Sequence, residues 1–198
     1  MINFNSLNNI RVFKILLLLF FTIIISNKNY ADNLDSLRTV LAKTKNDSIK
    51  ISVLRQIAEL CNENEINNYA NQSLQILENA YQKNKISLAY YNLEKARALY
   101  NIGVYHFLFT NNYIETIDHI LNSLKLIEGK SNPSIDTEDL LASGYNTLAT
   151  AYLRIGKDEL AENYLLKSVF IDSKNGNEEY LANDYNNLAG AYHLLNKF

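Results

Sequence analysis

The strongest constraint in this chain is a pattern that occurs twice. Tyr145 to Val169 reads YNTLATAYLRIGKDELAENYLLKSV, and Tyr185 to Phe198 reads YNNLAGAYHLLNKF. Tyr145, Leu148, Ala149 and Tyr152 recur at the spacing of one helical face, and Tyr185, Leu188, Ala189 and Tyr192 repeat that spacing forty residues later. A helical unit copied at a fixed offset buries its apolar stripe against the next copy, so the copies stack. An ordinary helical bundle is the alternative. Two aligned copies favour the repeat.

The residue types fit two helices packed closely side by side. Ala149 and Ala161 stand where the axes of a hairpin come nearest, since a larger side chain would push them beyond about 8–10 Å. Gly156 suits a left-handed cap that ends the first helix, Lys157 and Asp158 form a polar turn, and Tyr152 and Leu165 fill the space between the helices. The pattern large-x-x-Leu-small-x-x-Tyr, followed by Gly156, Ala161 and Leu165, resembles the tetratricopeptide repeat (TPR). That resemblance implies an all-α, right-handed superhelical solenoid of antiparallel helix hairpins. The offsets of forty and forty-five residues exceed the roughly 34 of the commonest TPR, which implies longer helices.

Composition agrees with helices. The chain has 198 residues, of which 47% are hydrophobic and 20% charged, enough for one sizeable core in one domain. One proline and six glycines are too few for the many turns of an all-β fold. A net charge of -2 leaves no electrostatic footprint for nucleic acid. Cys61, the only cysteine, excludes an intrachain disulfide, and its neighbours Leu54, Ile57, Ala58 and Leu60 mark it as core.

Residues 1–31 are of another kind. Arg11 and Lys14 precede the apolar run Ile15 to Ile25, and a short polar segment follows from Ser26 to Ala31. This is the layout of a signal peptide, with cleavage expected after Ala31 or, second, after Ser26. An eleven-residue run spans about 16 Å as a helix, whereas a bilayer core needs about 20 residues. No cysteine follows it for lipoprotein processing. A membrane tether would come from an uncleaved leader or from a carboxyl-terminal region beyond residue 198.

The mature chain then divides into a leader helix at 33–44 and repeats at about 47–83, 87–128, 137–174 and 178–198. A polar break at Asn62 to Asn64 separates the helices of the first repeat, and Asn111-Asn112 turns the second. The gapless alignment of the second repeat matches Tyr100-Asn101 to Tyr145-Asn146, and Thr116, Ile120, Ser123 and Leu124 to Ala161, Leu165, Ser168 and Val169. It puts Gly103 where the pattern wants leucine. Using Ile102-Gly103 as the Leu-small pair demands one extra residue in the turn, so the first helix stays open by one residue. The segment 129–136, GKSNPSID, holds the only proline and reads as a loop. The last repeat has no second helix, and the chain is expected to be the amino-terminal piece of a longer protein.

No catalytic motif is present: the chain has no Gly-rich phosphate loop, HExxH, CxxC or GxSxG. His106 and His119 can approach across a hairpin, yet no third ligand is in view, so neither a metal nor a cofactor is expected. In TPR-like arrays the first helix of each pair lines the concave surface. The resemblance therefore implies a partner-binding groove at Asn101, Tyr105, Asn146, Thr150, Asn186 and His193. One Asn per repeat at one helical angle would give a ladder of amides for the backbone of an extended peptide, although an Asn-rich composition explains the recurrence equally well. A groove-facing Asn146 should tolerate alanine at a cost below about 0.5 kcal/mol.

The leader DSLRTVLAKTKNDSIKISVL after a signal sequence, followed by long TPR-like pairs, resembles the sensor portion of histidine kinases and helix-turn-helix regulators of the Bacteroidetes. This implies a non-catalytic, periplasmic protein- or peptide-binding module at the head of a signalling protein. A stand-alone exported scaffold and a TPR-built carbohydrate-uptake protein are the alternatives.

Overall fold

Asn46, Ser87, Asn112 and Ser134 each stand just before an apolar helical run. In the structure, a computed structural model, each accepts on its side-chain oxygen the main-chain N–H three residues ahead. Each cap satisfies one of the donors that a helix start leaves unpaired. The structure describes residues 32–61 and 65–196. The apolar leader with its cleavage positions, the break at Asn62 to Asn64 and the final two residues lie outside the described residues.

The helices are α1 (32–43), α2 (Asp47–Leu60), α3 (Ile66–Gln82), α4 (Leu88–Tyr105), α5 (Tyr113–Ile127), α6 (Ile135–Arg154), α7 (Asp158–Asn175) and α8 (Glu178–Leu194). A π-helical turn, His106–Thr110, extends α4. Among the described residues there is no strand, so the chain is all-α. From α2 onward each helix packs on its neighbours in sequence, and α2, α4, α6 and α8 also touch in series. Leu34, Leu37 and Leu41 of α1 cover Val53, Ile57 and Cys61.

Two side-chain bonds settle the register that the sequence leaves open. Ser168 of α7 donates its hydroxyl to the carbonyl of Ala142 in α6 at 2.9 Å, and Ser123 of α5 donates to Ala96 of α4 at 2.6 Å. The serines are forty-five residues apart and their acceptors forty-six. The first helix is therefore shifted by one, so Ile102-Gly103 matches Leu148-Ala149 and Tyr100 matches Asn146. The extra residue is taken up by the π-helical turn, whose wider winding holds one more residue than an α-turn. After it Asn111 adopts the left-handed conformation at φ 51°, as Gly156 does at φ 69°. Asparagine tolerates that region better than other non-glycine residues.

Small residues set the helix spacing. A Cβ on Gly103 would lie 2.7 Å from Cδ1 of Ile120, and one on Gly144 would lie 2.8 Å from Cδ2 of Leu124. Thus α4 and α6 each bring a glycine against α5. Leu148, Ala149, Ala161 and Leu165 are fully buried. On α8 the second copy of the pattern is less covered: Leu188 is buried, Ala189 is exposed, and Tyr185 is 53% exposed where Tyr145 is 7%.

Candidate functional site: a polar cleft across the first helices

The serial contact of α2, α4, α6 and α8 leaves a cleft on the face they share. One part, of about 310 Å³, is lined by Glu59, Arg97, Tyr100, Asn101, Asp136, Asp139, Leu140, Ser143, Asp172, Asn177 and Tyr180. A second part, of about 180 Å³, adds Ala142, Asn146, Thr147, Ser168, Asn183 and Asp184. Tyr100, Ser143, Asp172 and Tyr180 border both, so the two are continuous. The volume suits one or two side chains of a bound segment and is at the lower end for a small-molecule pocket.

The larger part is a network of ion pairs. Arg97 reaches Asp136 at 3.0 Å and Glu94 at 3.9 Å, while Arg55 lies 3.1 Å from Glu59 and 3.6 Å from Glu94. Burial pushes the Glu94 carboxyl up, with Arg97 and Arg55 pulling against it. Burial likewise raises Tyr100, against the hydroxyls of Thr147 and Ser143. The Asn177 side chain donates to Asp139 at 3.0 Å and to Asp172 at 3.2 Å, which holds those two carboxylates side by side.

In the smaller part Asn146 donates its amide to Oδ1 of Asp184 and accepts from Asn187 at 3.2 Å. Asp184 is 1% exposed, and its Oδ2 has no hydrogen-bond partner among the described residues. The nearby Ser168 hydroxyl is committed to Ala142. Burial pushes the Asp184 carboxyl above its ordinary value, the hydrogen bond from Asn146 opposes this, and the like charge of Asp172 adds to it.

The residues named from the sequence are thereby dispersed. Asn101 lines the larger part but is only 7% exposed, and Asn146 lines the smaller part. Tyr105, Thr150, Asn186 and His193 line neither part. Tyr105 packs on the cluster of Val53, Ile57 and Cys61, and Thr150 returns its hydroxyl to the carbonyl of Asn146 at 2.9 Å. Asn186 and His193 are exposed on α8. The one-residue shift removes Asn101 from the helical angle of Asn146, so the two do not form rungs of one ladder. Asn146 is also not idle: it donates to the buried carboxylate of Asp184, so its loss is expected to cost more than a surface change.

Sequence reasoning missed Tyr100, Asp139, Asp172 and Asp184. Tyr100 was legible from the shifted register. The aspartates come together only when the start of α6, the end of α7 and the middle of α8 are folded side by side.

Away from the cleft, the rings of His106 and His119 stack 5.5 Å apart and 3° from parallel. Among the described residues no group of three or more His, Cys, Asp or Glu is placed to hold a metal ion. Burial raises the Cys61 thiol above its ordinary value, which disfavours the thiolate. No family model matches the sequence, and no curated protein matches it. The described residues form an all-helical structure with a continuous polar cleft across alternate helices.

Proposed function

We propose that this chain is a non-catalytic module that binds a protein or peptide segment in the cleft between α2, α4, α6 and α8. The observation that carries this reading is the lining itself. Amides, hydroxyls, carboxylates and the rings of Tyr100 and Tyr180 succeed one another along alternate helices, which suits an extended backbone with its side chains in turn. The serial packing of the helices and the repeated serine-to-carbonyl bonds support a TPR-like solenoid as the architecture. Export to the periplasm rests on the leader at 1–31, and a place at the head of a signalling protein rests on the resemblance of the sequence alone. Among the described residues no helix is long and apolar enough to cross a membrane.

The test is selection of binders from a random displayed peptide library, followed by Ser143→Trp, which fills the point common to both parts of the cleft. Selected peptides should lose at least tenfold in affinity for the variant. Peptides that bind the variant as well as the parent would show that the cleft is not the binding surface. For export, the amino terminus of protein recovered from the periplasm should be residue 32 or residue 27.

A further inference from the structure

The cleft is unbalanced in charge. Of the carboxylates that line it, Glu59 pairs with Arg55 and Asp136 with Arg97, while Asp139, Asp172 and Asp184 have no cationic partner among the described residues. The smaller part is lined by two of these carboxylates, Asp172 and Asp184, and by no cation. There Asp172 is 3% exposed and Asp184 1%, and at the border with the larger part Asn177 donates to both Asp139 and Asp172. Oδ2 of Asp184 is buried with no hydrogen bond among the described residues, a costly arrangement for an acceptor withdrawn from water.

A neutral donor would satisfy that oxygen but leave neighbouring carboxylates repelling one another. An ammonium or guanidinium group does both jobs, since it donates several hydrogen bonds and cancels charge. Tyr100 and Tyr180 border the same space, and their rings suit the methylene stem of such a side chain. We propose that the smaller part of the cleft is a subsite for a lysine or arginine side chain of the bound peptide, with Asp184 and Asp172 as its acceptors. This rests on the peptide-binding reading of the cleft and adds the chemistry of its ligand.

The experiment uses the full chain and three labelled, end-blocked heptapeptides of serine and glycine that differ only at the central residue: lysine, glutamine or glutamate. Anisotropy should show the lysine peptide binding at least tenfold tighter than the glutamine peptide, and the glutamate peptide weakest. Most of the preference should survive a rise in salt, because charge pairs withdrawn from water are screened much less than exposed ones. Asp184→Asn, checked for folding by circular dichroism, should remove about tenfold from the lysine peptide alone, and Asp172→Asn should act the same way. Glu159→Gln, in the exposed first turn of α7, should change none of the three.

Equal binding of all three peptides, still sensitive to Ser143→Trp, would overturn the cation subsite and leave the peptide reading standing. Failure of the lysine peptide to bind at millimolar concentration would overturn it as well, unless butylammonium chloride shifts the amide resonances around Asp184. That result would support the cation site with a free amine as its source and would sink the peptide reading.

Discussion

Ser168 and Ala142 meet at 2.9 Å, hydroxyl to main-chain carbonyl, at a point where both residues are buried and α6 and α7 lie too close for a larger side chain. Removing the hydroxyl by Ser168→Ala should cost about 0.5–1.5 kcal/mol, the net worth of such a bond. Ser168→Leu keeps no bond and adds volume, and overpacking should cost about 1–3 kcal/mol more. Urea unfolding measures both. A leucine variant as stable as the parent would mean that the helices are not in this contact.

Leu148 is fully buried between α6 and its neighbours, and Leu148→Ala should lose about 2–5 kcal/mol. Asn146→Ala strips Asp184 of the partner on Oδ1 and leaves a buried carboxylate with neither oxygen satisfied. Its expected cost is about 1–3 kcal/mol, well above a surface change. Asp184→Asn in the Asn146→Ala background should recover part of that loss. Independent, additive effects of the two substitutions would contradict a direct link between them.

What was legible in the sequence follows from periodicity. Leu148, Ala149, Ala161 and Leu165 occupy buried positions because a helical face repeats every three to four residues, and Gly156 ends α6 because its conformation excludes most side chains. The π-helical turn was not legible, since one inserted residue at His106–Thr110 leaves the flanking patterns intact and moves only their offset. That single residue decides whether Asn101 or Tyr100 stands level with Asn146. The aspartate cluster was hidden for another reason. Asp139, Asp172 and Asp184 belong to three helices, and each alone looks like ordinary surface charge.

Two glycines in helix interiors should respond in opposite directions. Gly190 of α8 has nothing within 4 Å of an added Cβ, so Gly190→Ala should gain about 0.5–1 kcal/mol from reduced chain entropy and better helix propensity. Gly103→Ala meets Cδ1 and Cγ1 of Ile120 at 2.7 and 2.9 Å, and the displacement should cost about 1–3 kcal/mol. The melting temperatures of the two variants should bracket that of the parent. Stabilisation by both would disprove the close approach of α4 to α5.

His119 is held below its ordinary value of 6.5 by burial first and by the neighbouring His106 second. Between the folded value and 6.5 the unfolded chain binds more protons than the folded one, so stability falls as pH drops through that window. It is fully present above 6.5. His119→Gln should flatten the loss as pH falls below 6.5, read as the difference between variant and parent in urea midpoint. Asp184, whose value is raised from 3.8, acts with the opposite sign, because protonation of the folded form returns stability as pH falls. The difference against the His119 variant removes its contribution. An unchanged pH slope would mean that His119 is as free to ionise as in an unfolded chain.

The most direct measurement is a map of amide chemical shifts on the full chain titrated with the lysine heptapeptide. If the cleft receives the peptide, the changes will centre on Tyr100, Ser143, Asn146, Tyr180, Asn183 and Asp184, which line the smaller part. Exposed apolar residues elsewhere, Leu121 of α5 and Leu166 and Phe170 of α7, will be spared. Shifts centred on Leu121, Leu166 and Phe170, with Asn146 and Asp184 unmoved, would contradict it.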